Sequence, residues 1–156
     1  MDFALPQLKA VGWLSREHSY ETGVVSPEVF IALCRLLAKP WTPWAFMGVH
    51  DCEFCRFTGG FSSDEACWAD DKGHLLRTRI TAKSQRELIV PGRGCLYIAP
   101  ESIAHYVDSH GYCPPAEFQE ALLACPDTDS QQYKLAFLAN GGRQVLQKIK
   151  EMKPPG

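Results

Sequence analysis

Several things are missing from this chain, and each absence narrows what it can be. There is no surplus of basic charge: 16 Lys and Arg stand against 18 Asp and Glu, a net charge of −2. Nonspecific binding to nucleic acid or to an anionic membrane surface draws on such a surplus, so neither is expected. No apolar run approaches the roughly 20 residues that cross a bilayer. The opening Met1-Asp2-Phe3-Ala4-Leu5-Pro6 lacks the basic region and long apolar stretch of a signal peptide, which makes a cytoplasmic location the expectation. There is no Gly-x-Ser-x-Gly elbow, no Walker loop and no His-Glu-x-x-His, and neither an internal repeat nor a low-complexity tract.

What is present fits one globular domain. At 156 residues the chain is long enough to bury a substantial core, and 46% hydrophobic with 22% charged residues is an ordinary globular balance. Seven cysteines are an odd number at irregular spacing, which argues against a secreted disulfide framework. In a reducing compartment most would be small buried hydrophobes, with a minority in metal or redox sites.

Helix and strand signals follow in sequence. Val11-Gly12-Trp13-Leu14 reads as a short strand or turn, and His18 lies in a polar, solvated loop. Ser26-Pro27-Glu28 starts a helix over 27–38, with a capping hydroxyl, a proline at the first helical position and a carboxylate at the positive end of the dipole. Val29, Phe30, Leu33, Leu36 and Leu37 recur at helical spacing. The run 44–49 reads as a buried strand, and Gly59-Gly60 as a loop. Residues 61–86 are polar, with a hairpin signal around Asp70-Asp71-Lys72-Gly73. The runs 87–90 and 95–98 flank Pro91-Gly92-Arg93-Gly94 and form a second hairpin, in which the glycines are turn chemistry. Pro100 is read as opening a helix that ends at Gly111. Further helices are expected over 116–124, from Asp129 or Ser130 to Leu138, and over 143–152, the last with a basic outer face. Strands clustered mid-chain rather than alternating with helices indicate an α+β fold, with a small antiparallel sheet covered by N- and C-terminal helices.

The stretch with most chemical potential is His50-Asp51-Cys52-Glu53-Phe54-Cys55. A Cys-x-x-Cys loop can turn two sulfurs inward on Zn²⁺ at about 2.3 Å, leaving two positions of a tetrahedron for other ligands. His50 would project to the same side as Cys52 in an extended segment. The remaining ligand would come from His105 or His110, or from Cys67 and His74. Spacing alone places His105 with Glu101 and Asp108 on one face of its helix, and His110 with Ile103, Tyr106 and Val107 on the other. Two other readings compete. A redox dithiol would need a lowered thiol pKa, which the flanking Asp51 and Glu53 disfavour. Alternatively the cysteines simply end a strand.

Two segments resemble a family of small uncharacterised bacterial proteins of the kind found on mobile gene cassettes. One is Pro43-Trp44-Ala45-Phe46-Met47-Gly48-Val49-His50-Asp51-Cys52-Glu53-Phe54-Cys55. The other runs from Leu96-Tyr97-Ile98-Ala99-Pro100 through Ile103-Ala104-His105-Tyr106 to His110-Gly111-Tyr112-Cys113-Pro114-Pro115. The resemblance implies that His50, Cys52, Cys55 and both helix histidines form one unit. It also implies that 61–86 is an inserted loop or hairpin.

The expectation is a non-enzymatic binding or accessory protein with a structural zinc on Cys52, Cys55, His50 and His105. The alternatives are a thiol-dependent oxidoreductase using Cys52 and Cys55, and a metal-free interaction or inhibitory module. The last would act through the basic C-terminal helix or an aromatic patch at Trp41 and Trp44. A homodimer is a reasonable default for such a protein.

Overall fold

The computed structural model describes residues 7–41, 50–55, 63–69, 72–73, 75–84 and 86–152. The predicted strand 44–49, the Gly59-Gly60 loop and His74 lie outside these residues. The described part is α+β, with strands β1 (Leu8–Ala10), β2 (His50–Asp51), β3 (Ser63–Ala69), β4 (Leu75–Thr81), β5 (Lys83–Ser84), β6 (Glu87–Pro91) and β7 (Leu96–Pro100). The helices are α1 (Pro27–Ala38), α2 (Ile103–His110), α3 (Ala116–Ala124), α4 (Gln131–Phe137) and α5 (Arg143–Met152). Among the described residues no helix is long and apolar enough to cross a membrane.

The central sheet has the order β1-β7-β6. Strands β6 and β7 are the expected antiparallel hairpin, but β1 runs parallel to β7, so the sheet is mixed rather than purely antiparallel. A parallel partner requires a crossover of a dozen residues or more, and β1 reaches β7 from far away in sequence. The N-terminal strand is Leu8–Ala10, and 11–14, read as a short strand or turn, is no strand but bends at Gly12; Val11 still donates to the Ile98 carbonyl at 2.9 Å before the chain leaves the sheet.

Helices cover both faces of this sheet. Successive residues point to opposite sides of a strand. Leu88, Val90, Tyr97 and Ala99 accordingly join a core with Leu33 and Leu36 of α1, Ile103 of α2 and Phe118 of α3. Ile89, Leu96 and Ile98 point the other way, onto Phe137 of α4 and Val145 of α5. Both strands are therefore near-continuous apolar runs, as a sheet buried on two faces demands.

Helix α1 occupies the predicted span, and Ser26 Oγ caps it by accepting from the Val29 amide at 3.3 Å. Helix α2 starts later than expected. Pro100 is the last residue of β7, opposite Glu87, where a residue without an N–H is tolerated at a strand end. The polar region 61–86 contains a two-stranded hairpin, with Ser63 opposite Thr81 and Ala69 opposite Leu75. Ile80 from its second arm, and Ala82 just beyond it, are buried in the larger core.

Candidate metal centre

Cys52 follows directly after β2. Its amide donates to the Ala82 carbonyl at 2.9 Å, which ties the start of the Cys-x-x-Cys loop to the chain just beyond β4. Residues 53 and 54 then turn, and the backbone amides of Cys55 and Phe54 are directed at the Cys52 sulfur. Amides aimed at a sulfur favour its anionic form, the form a metal needs. Glu53 turns outward and accepts from the Arg16 amide at 3.0 Å.

The other side of the site is α2. His110 is its last residue, and Gly111 terminates it in the left-handed region at φ 66°, ψ 19°. The amides of Gly111 and Tyr112 both return to the Tyr106 carbonyl. Tyr20 Oη donates to the His110 carbonyl at 2.8 Å, and Thr22 bridges Tyr112, so the helix end is held against the N-terminal segment.

These two elements bring four donors together. The ligand atoms of Cys52, Cys55, His105 and His110 all lie within 4.8 Å of one another. Cys55 Sγ is 3.1 Å from His105 Nε2 and 3.6 Å from His110 Nε2, and Cys52 Sγ is 3.4 Å from His110 Nε2. The two Nε2 atoms are 3.3 Å apart. Ligands on a tetrahedral Zn²⁺ at ordinary bond lengths would show S···N of about 3.6 Å and N···N of about 3.3 Å. Three of the four S···N pairs and the N···N pair already have nearly the spacing that a bound ion would impose.

Its surroundings are apolar. Cys52, Cys55 and His105 are buried, and His110 is half-buried at the rim. Phe54 leans on the His110 ring at 5.1 Å between centroids, and Tyr20 packs edge-on against Phe54 at 5.5 Å. Burial pushes the Cys52 thiol up to about 11, against a partial offset from the Cys55 and Phe54 amides. Burial lowers the pKa of His110, which favours the neutral imidazole that a metal binds. Two thiolates, two neutral imidazoles and a divalent cation sum to zero charge, which limits the cost of placing ions in such a site. A dithiol redox pair would need the opposite setting, one that stabilises a free thiolate.

The structure therefore assembles Cys52, Cys55 and His105 from the predicted set, together with His110. His50 has its backbone in β2, opposite Ser84, and its side chain lies outside the described residues, as does that of Cys67. His105 is not on a solvated face: only 3% of it is exposed. An ideal helix puts positions five apart about 140° from each other, which suggested opposite faces. The imidazoles bridge that angle because both swing toward the Cys loop from adjacent turns, and their rings meet edge-on with centroids 4.9 Å apart. Tyr20 and Phe54, which steady His110, carried no mark in the sequence pattern. No disulfide forms among the described cysteines.

The family model described as Domain of unknown function (DUF7919) matches residues 3–123, a span that includes all four donors. No curated protein and no solved structure matches the chain. Because the match extends over well more than half of its length, the chain belongs to the DUF7919 family, a domain of unknown function.

Proposed function

We propose that Cys52, Cys55, His105 and His110 hold one Zn²⁺ in a closed tetrahedral site, and that this zinc is structural in a non-enzymatic binding or accessory protein. The observation that carries this reading is the donor spacing: three S···N pairs at 3.1–3.6 Å, N···N at 3.3 Å, and all four ligand atoms within 4.8 Å of one another. Donor chemistry supports the same metal: two thiolates with two imidazoles in a tetrahedral arrangement suit Zn²⁺ better than harder ions such as Mg²⁺ or Ca²⁺. Four protein ligands leave no open position for water or substrate, which favours a structural role over a catalytic one. The sphere is complete without His50.

The site joins segments that secondary structure alone does not connect, namely the 52–55 loop and the C-terminal end of α2. Structural zinc contributes an apparent 10–16 kcal/mol in small domains, about as much as the whole net stability of a typical protein. The zinc would therefore decide whether this corner of the fold is formed. Thiols that must stay reduced to ligate are consistent with a cytoplasmic location.

Elemental analysis of protein purified without added metal tests the proposal. The expected result is one zinc per chain, with Cys52 and Cys55 shielded from thiol reagents until a chelator is added. Clearly substoichiometric zinc with both thiols freely titratable would refute it.

A further inference from the structure

We infer a second binding site, for a small zwitterion carrying one ammonium and one carboxylate group, in the cleft between the β6–β7 turn and α3. The cleft has a volume of about 280 Å³. Its floor is the buried pair Cys95 and Tyr97, and Tyr97 is packed edge-on against Phe118 of α3 at 5.5 Å, so floor and helix wall are joined.

The opposite wall is equally held. Gly92 lies so close to the floor that a methyl group there would sit 2.6 Å from Tyr97 Cε2 and 2.8 Å from Cys95 Sγ. The Gly92 amide donates to the Cys95 carbonyl at 2.8 Å, and the Gly94 amide to Asn140 Oδ1, also at 2.8 Å. On α3, Ala121 and Ala124 face the cleft with side chains too small to fill it.

Four charged side chains line this space. Lys9 of β1 and Arg93 of the turn supply two positive charges; Glu117 and Glu120, one turn apart on α3, supply two negative ones. Among the described residues no ion pair or hydrogen bond joins either cation to either carboxylate. The lining charges cancel in sum but are segregated by wall. A simple cation or anion would be attracted by one wall and repelled by the other. A molecule with both charges can satisfy both walls at once, its carboxylate toward Lys9 and Arg93 and its ammonium toward Glu117 and Glu120. Arg93 adds a planar fork suited to a carboxylate.

The test is calorimetric titration of the full chain with glycine, β-alanine, γ-aminobutyrate and ε-aminohexanoate, a series of increasing charge separation. Each is paired with its N-acetyl and its carboxamide form, which delete one charge apiece. The expected result is saturable binding of at least one member, weakened at least tenfold (about 1.4 kcal/mol) by either cap. Arg93→Gln and Glu120→Gln should each weaken it by about tenfold. All four charged residues are exposed, so these variants should keep the wild-type melting temperature. The inference is overturned if no member binds at concentrations up to about 10 mM, a range that detects even millimolar affinity. It is overturned equally if a form lacking either charge binds as well as its parent, or if either variant binds like wild type. Metal content plays no part in the readout, so the result is independent of the zinc proposal.

Discussion

His105 and His110 are five residues apart on α2, yet their Nε2 atoms approach to 3.3 Å. Two imidazole nitrogens at that distance can share a single proton or a single cation, and the two sulfurs beside them favour the cation. The two histidines are not equivalent. His105 is buried beneath the helix, whereas His110 is the last, half-buried residue of the helix and is held by Tyr20 and Phe54.

That inequality sets a ranking. His105→Ala should abolish zinc retention and lower the melting temperature strongly, because it removes a buried ligand at a position that solvent water does not readily reach. His110→Ala should leave a weaker site that a water can complete, with zinc lost to a mild chelator tens of times faster than from wild type. Elemental analysis and chelator competition on both variants measure the order; equal behaviour would count against it.

Tyr20→Phe removes only the hydroxyl that donates to the His110 carbonyl and leaves the ring on Phe54. A lost hydrogen bond of this kind costs about 1 kcal/mol. Chemical denaturation should show that loss, together with faster zinc release at unchanged stoichiometry.

Gly111 ends α2 at φ +66°, and nothing lies within 4 Å of where a Cβ would be placed. Gly111→Ala therefore meets no steric clash, and its cost is purely that of forcing a left-handed conformation on a residue with a side chain. About 1 kcal/mol is expected. A much larger loss, or loss of the zinc, would mean that the helix end tolerates less adjustment than its open surroundings imply.

Alkaline pH should weaken the fold through Cys34. Burial pushes its thiol from 9.0 to about 12, with Asp108 adding to the shift. The unfolded chain loses that proton first, so stability is complete below about pH 9 and declines as pH rises toward about 12. Cys125, also raised to about 12 by burial, adds to the same slope. In Cys34→Ala the dependence of unfolding free energy on pH over this range should flatten, whatever the variant's absolute stability at neutral pH.

Much of the architecture was readable from local chemistry. The Ser26-Pro27-Glu28 start, the apolar spacing of α1, the Gly-rich turn between β6 and β7 and the stop at Gly111 all act through a few adjacent residues, so the chain states them directly. Where a boundary was misplaced, as at Pro100, two local roles were open to one residue and the pairing with Glu87 decided between them. The parallel docking of β1 and the burial of both sheet faces depend on partners far along the chain, and no local pattern records them.

The candidate site divides in the same way. The sequence by itself determined that two thiols would sit within one turn and that two histidines would share one short helix, because spacing along the backbone is a covalent fact. Which imidazoles face those thiols was decided only when β2, β4 and α2 packed together. A periodicity argument sees the direction in which a side chain leaves the helix axis, whereas a ligand set depends on where its last atom arrives.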